Sequence, residues 1–241
     1  MKYLKYFENL ENIDFSNVTL TTLKGKNIPK YVGDFNCSNN QLTSLEYGPE
    51  NVNGSFNCHN NKLTSLEFCP EQVDGDFWCH YNQLTSLEYC PETINGYFSC
   101  SCNKLTSLKY CPETVGVNFN CSYNQLTSLK YCPETVGGGL DCSYNKLTSL
   151  DFCPEYVGGD FWCENNSWTN VIPFELIKKF NIQISDLYTK EQKEKFGSYE
   201  YQKEYLTNSP EKYKDLEPIG FNDKIKDEFD WLFNAIDMEL M

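Results

Sequence analysis

The sequence contains no arginine. All 20 basic residues are lysine, set against 34 acidic ones, and the formal net charge is −14. That deficit argues against nucleic acid as a partner, because phosphate and base-edge recognition lean on bidentate guanidinium groups and a basic patch. An acidic surface favours a neutral or basic partner instead. Long apolar runs are also missing: none approaches the roughly 18–20 residues that cross a bilayer, so no membrane partner is expected. The opening stretch Met1-Lys2-Tyr3-Leu4-Lys5-Tyr6-Phe7 lacks the apolar core of a cleavable signal peptide, and a cytoplasmic location, in the producing or a host cell, is expected. Histidine occurs only at His59 and His80, and neither a serine elbow nor a His–Asp spacing of a hydrolase is present.

What the sequence does have is a repeat. The pentapeptide Asn-(Gln/Lys)-Leu-Thr-Ser, followed by Leu, opens at Asn40, Asn61, Asn82, Asn103, Asn124 and Asn145, every 21 residues without insertion or deletion. A fixed period of this size marks a solenoid, whose coils bury their apolar sides only by stacking on one another. Such stacks present a long rigid face and seldom enclose a catalytic pocket. One repeat, Phe119 to Gly139, shows the design. The alternation Phe119-x-Cys121 predicts a short strand. Asn124 falls at a sharp turn, where stacked asparagines can satisfy backbone groups of adjacent coils. Leu126 and Leu129 are predicted to point inward. Pro133 forbids a helix in the return segment, and Gly137 to Gly139 permit a tight second corner. The convex side is therefore predicted to be extended or 3₁₀.

Thirteen cysteines occur, nearly all in two columns. Cys37, Cys58, Cys79, Cys100, Cys121, Cys142 and Cys163 share one repeat position. Cys69, Cys90, Cys111, Cys132 and Cys153 share another, with Gly48 in the first copy, and Cys102 stands outside both. Coils stacked roughly 4.8 Å apart fall within the Cα range of a disulfide, so distance alone leaves bridged ladders open. The odd total and the alternation with Phe favour reduced, buried thiols acting as small hydrophobes.

The register Phe-x-Cys-x-x-Asn-x-Leu-x-x-Leu resembles the leucine-rich repeat, with Phe and Cys at two of the usual leucine positions. Its short period and its Leu-Thr-Ser-Leu…Pro-Glu segment resemble the bacterial class found in type III effectors of the YopM/IpaH kind. The cysteine-rich form also resembles proteins encoded by phages and large DNA viruses. The likeness covers residues 13–171. It departs from the effector pattern by one extra residue between Pro and strand and by the cysteine columns. The resemblance implies a mainly β, right-handed solenoid with a parallel sheet on one face; a parallel β-helix is the competing architecture. Effectors of that kind often carry a ubiquitin ligase domain with a catalytic cysteine. No cysteine follows Cys163, so the likeness is to ligase-free members. No enzyme activity and no cofactor are expected.

Both ends of the repeat are degenerate, as capping units should be. Ile13-x-Phe15 and Leu20-Thr-Thr-Leu23 mimic the motif with Val18 at the asparagine position, while Trp168 and Val171 replace leucines after Asn166. Residues 1–12 are predicted to form a helical cap. Residues 172–241 are predicted to be a helical cap or a small docking module. Its helices would start at Pro173, at the capping box Thr189-x-x-Gln192 and at Asn222.

Candidate functional residues lie where copies differ. Outward strand columns read Asp34, Ser55, Asp76, Tyr97, Asn118, Gly139, Asp160; then Asn36, Asn57, Trp78, Ser99, Asn120, Asp141, Trp162; then Ser38, His59, His80, Ser101, Ser122, Ser143, Glu164. Asp34, Asp76 and Asp160 occupy non-adjacent coils, which disfavours paired ligation of Ca²⁺ or acid–base work. His59 and His80, with Cys102 one coil on, have the residue types for zinc or copper, yet they sit at a variable position filled elsewhere by serine. No metal is expected. The partner-binding set is Asp76, Trp78, His80, Tyr97, Asp141, Asp160 and Trp162. Aromatics among carboxylates on a rigid face suit a protein-binding surface; a glycan-binding structural or adhesion role is the alternative.

Overall fold

Each coil contributes only two residues to a front strand and two to a return strand. The structure, a computed structural model, describes residues 10–169 together with Lys179, Phe180, Ile182 and Glu191. The front strands are β1 (Ile13–Asp14), β3 (Phe35–Asn36), β5 (Phe56–Asn57), β7 (Phe77–Trp78), β9 (Phe98–Ser99), β11 (Phe119–Asn120), β13 (Leu140–Asp141) and β15 (Phe161–Trp162). They form one parallel 8-stranded sheet in chain order. The return strands are β2 (Tyr31–Val32), β4 (Asn51–Val52), β6 (Gln72–Val73), β8 (Thr93–Ile94), β10 (Thr114–Val115), β12 (Thr135–Val136) and β14 (Tyr156–Val157), forming a parallel 7-stranded sheet.

The molecule is thus a β-solenoid with a sheet on both sides. The return segment is extended, as Pro133 and its equivalents require, but it is not a plain convex side. Its residues recur in register, so the backbone groups of one coil meet their complements in the next and pair rather than stay unsatisfied. A one-sheet reading of the repeat misses this. Register is strict throughout the front: Phe56 lies beside Phe77, Phe77 beside Phe98 and Phe98 beside Phe119.

Side-chain columns fill the interior between the sheets. Phe35, Phe56, Phe77, Phe98 and Phe119 are fully buried, and successive ring centroids lie 5.3–5.8 Å apart. The leucines of Leu-Thr-Ser-Leu and the return-strand Val and Ile close the core around them. The repeated serine is structural: Ser65 Oγ accepts from Glu67 N at 3.0 Å, and Ser86, Ser107 and Ser128 do the same two residues on. Even the alternation of Gln and Lys after each asparagine has a reason. Lys62 Nζ donates to Gln41 Oε1, and Lys104 to Gln83, whereas lysines stacked roughly 4.8 Å apart would repel.

The asparagine ladder does what the turn needs. Asn124 Nδ2 donates to Cys100 O, Cys121 O and Ser122 O, while its Oδ1 accepts from Leu105 N at 3.0 Å. The same pattern runs from Asn40 to Asn166. A second polar ladder joins the opposite corner: Asp34 Oδ1 accepts from Ser55 N, Asp76 Oδ1 from Tyr97 N and Asn118 Oδ1 from Gly139 N. The corner glycines act through closeness rather than through a left-handed angle. Gly137 is not left-handed; a Cβ there would meet Gly116 O at 2.0 Å, so glycine is needed for close approach of backbones.

All thirteen cysteines are free thiols. Burial pushes the Cys37 thiol up to about 12 and holds Cys58, Cys79 and Cys121 well above the ordinary thiol value. Buried neutral thiols are poor nucleophiles. A thiol reagent at pH 8 should therefore react slowly with the native protein and titrate close to thirteen groups once it is unfolded without reductant. A count near one would mean disulfide ladders and would overturn this description.

At the N-terminal end residues 10–12 are not helical. Gly33 N donates to Glu11 O, and Asn12 bonds the backbone and side chain of Asp34, so this stretch extends the stack. The rest of the predicted 1–12 cap lies outside the described residues, as do nearly all of residues 172–241. Of that segment, helical Phe180 sets its ring 4.9 Å from that of Phe161 in the last coil. Trp168 is buried at the position where earlier repeats carry leucine. Among the described residues no helix is long and apolar enough to cross a membrane.

Candidate functional site

The outward columns of the front sheet behave differently from one another. Because each strand lasts only two residues, the chain has already begun to turn at the third column. Ser38, Ser101, Ser122 and Ser143 are buried there rather than presented outward. His80 shares that column. It is half-buried, its ring stacks on His59 at 4.5 Å between centroids and 4° between planes, and its Nδ1 has no hydrogen-bond partner among the described residues. Burial and the neighbouring His59 push the His80 imidazole down to about 4, and burial lowers His59 as well. The pair is neutral at pH 7. His59 Nδ1 lies 2.6 Å from Asn57 Oδ1. Among the described residues no three His, Cys, Asp or Glu side chains are grouped to hold a metal ion.

The remaining members of the set fall into two clusters. In the first, half-buried Trp78 lies 6.5 Å from the ring of Tyr97, and Asp76 holds the Tyr97 backbone N–H at 2.7 Å. In the second, Trp162 is 45% exposed and leans over Gly139, where a Cβ would stand 2.9 Å from its ring. Asp160 beside it is exposed. Asp141 accepts from both Ser143 N and Ser143 Oγ, so it braces a turn more than it offers a charge. Four coils, or roughly 19 Å at the usual strand spacing, separate Trp78 from Trp162. The seven residues do not make one patch. Between the clusters stand Tyr123 and Tyr144, stacked at 4.2 Å.

A larger aromatic array was missed from sequence. Tyr47, Phe68, Tyr89, Tyr110, Tyr131 and Phe152 form a column, one per coil, each 48–65% exposed. Each follows Leu-(Glu/Lys/Asp) and precedes the Cys or Gly whose N–H closes a turn on that leucine, as in Cys69 N to Leu66 O at 2.8 Å. The third turn residue has φ between 64° and 71° in all six. This is the geometry of a type II turn, which favours glycine or asparagine there. A side chain with Cβ in the left-handed region costs about 1–2 kcal/mol. The signal is readable as an aromatic before Cys-Pro, or Gly-Pro in the first copy, but only the backbone reveals that it is exposed and costly.

Comparison with protein-family models, with curated proteins and with solved structures finds no match for this chain. The class that stands on the geometry itself is a two-sheet, 21-residue-period β-solenoid.

Proposed function

We propose that the solenoid is a non-catalytic protein-interaction module of the leucine-rich-repeat kind, which binds a neutral or basic partner on its front sheet. The observation that carries this reading is the pair of aromatic–carboxylate clusters, Asp76–Trp78–Tyr97 and Asp160–Trp162, held on one rigid sheet. Aromatics of this kind dominate interface energetics, and side chains fixed in advance lower the entropic cost of association. The buried Leu-x-x-Leu columns and the asparagine ladder support the leucine-rich-repeat reading, and the second sheet is its main departure. A bacterium-, phage- or virus-encoded factor acting inside a cell is the setting that the resemblance brings. The thiols of the two cysteine columns are raised by burial and the two histidines are stacked with lowered pKa, which supports a role without catalysis.

The test is affinity capture with wild type, Trp78→Ala, Trp162→Ala and the double variant. A specific protein retained by wild type and lost in the double variant supports the reading, and the single variants tell which cluster carries it. Identical captures by all four forms would sink it. Binding confined to a glycan array would favour the structural or adhesion role.

A further inference from the structure

The exposed aromatic column on the turn before the return strand is unexplained by the fold. In the first coil the equivalent turn, Leu23-Lys24-Gly25-Lys26, uses Gly25 at φ 77°, with the same bond from Lys26 N to Leu23 O. Glycine is therefore sufficient for the turn, yet all six following coils carry Tyr or Phe there. The outward positions of the front sheet drift between the same copies. The rings have been kept for something other than the turn.

Charge divides the column. Lys24 Nζ stands 5.9 Å from the centroid of Tyr47, Lys109 Nζ 4.6 Å from Tyr110 and Lys130 Nζ 5.2 Å from Tyr131. These rings already hold ammonium groups of their own chain, two of them supplied by the residue just before the ring. At Phe68 and Tyr89 that preceding residue is Glu67 or Glu88 instead, and among the described residues no lysine stands over either ring. The structure has a groove here of about 630 Å³, spanning the two coils and lined by Phe68, Glu71, Gln72, Tyr89, Pro91 and Glu92. Two exposed rings and two carboxylates, Glu71 and Glu92, thus meet at one groove, bounded on either side by rings already covered by lysine. At the far end, Phe152 lies where Lys179 adds positive charge beside Cys153.

We propose that this groove is a second docking site, independent of the front-sheet reading. It takes an extended peptide segment of a partner protein bearing Arg or Lys at alternate positions, whose cations lie over Phe68 and Tyr89 and pair with Glu71 and Glu92. The rings recur once per coil, roughly 4.8 Å, while alternate residues of an extended chain are roughly 6.8 Å apart, a mismatch that long basic side chains absorb. Cation–π contact supplies the selectivity for rings, and the carboxylates supply attraction that salt weakens.

The test is fluorescence anisotropy of a labelled peptide alternating glycine with four arginines, beside a copy with citrulline for arginine. The variant Phe68→Asn with Tyr89→Asn suits the left-handed turn, so its melting temperature should equal or exceed that of wild type. Its affinity for the arginine peptide should fall by about tenfold, and Glu71→Gln with Glu92→Gln should weaken binding similarly. Tyr131→Asn with Phe152→Asn should bind as wild type does, as should Trp78→Ala with Trp162→Ala. The proposal is overturned if wild type shows no saturable binding or binds the citrulline copy equally. It is also overturned if the Phe68/Tyr89 variant keeps full affinity, or if the Tyr131/Phe152 pair loses as much. Loss only in the Trp78/Trp162 variant would place the peptide on the front sheet and reject this groove.

Discussion

Phe98→Ala should destabilise the solenoid by about 3–5 kcal/mol, the usual cost of emptying a buried phenylalanine site. Phe98 is completely buried and has a ring on either side, with Phe77 at 5.5 Å and Phe119 at 5.3 Å. Truncation removes its own transfer free energy and leaves both neighbours facing a void. Strict register gives the coils little freedom to collapse into it, because each front strand is tied on both sides. Leucine is the informative control. The column already carries Leu140 in place of Phe, fully buried, so Phe98→Leu should cost no more than about 1.5 kcal/mol. Denaturant titration gives the midpoints, and hydrogen exchange near coil five locates the loss, since neighbouring repeats need not unfold together. An alanine variant within 1 kcal/mol of wild type, on the order of ordinary surface changes, would show that the column is not tightly packed.

Asn124→Leu should be about as damaging, at about 3–4 kcal/mol, although it conserves shape and adds apolar surface. The substitution strands Leu105 N–H and removes one of the two asparagine amides that Cys100 O and Cys121 O each accept, leaving only Asn103 and Asn145 on them. These groups are inside the stack and water cannot replace the lost amide freely. Asn124→Asp should be worse at neutral pH than at pH 4, because a carboxylate there faces three carbonyl oxygens and binding a proton relieves the repulsion. Thermal melts of both variants across that pH range check the sign. A leucine variant as stable as wild type would mean that the ladder is decorative.

Much of this architecture is legible in one repeat. Alternation of Phe and Cys places both inside, Leu126 and Leu129 follow, and the position of Asn124 at the turn implies backbone bonding across coils. These inferences succeed because burial alternation and turn chemistry are local properties, and strict repetition multiplies a local property into a column. The candidate site was less legible. Trp78 and Trp162 share a sequence column, yet four coils part them, and His80 sits in an outward column although the chain has begun to turn inward there and half-buries it.

The sequence by itself determined the period, the identity of the core columns, the polar ladder and the impossibility of a helical return past Pro133. Tertiary structure alone decided what depends on how one coil meets the next. It set a second sheet between return segments and made glycine necessary at Gly137 by backbone contact rather than by dihedral angle. It also left six aromatic side chains exposed on left-handed turns. The physical reason is that a dihedral preference or an apolar alternation is written within a few residues, whereas the separation and facing of coils follow from the rise and corner angles of the whole stack.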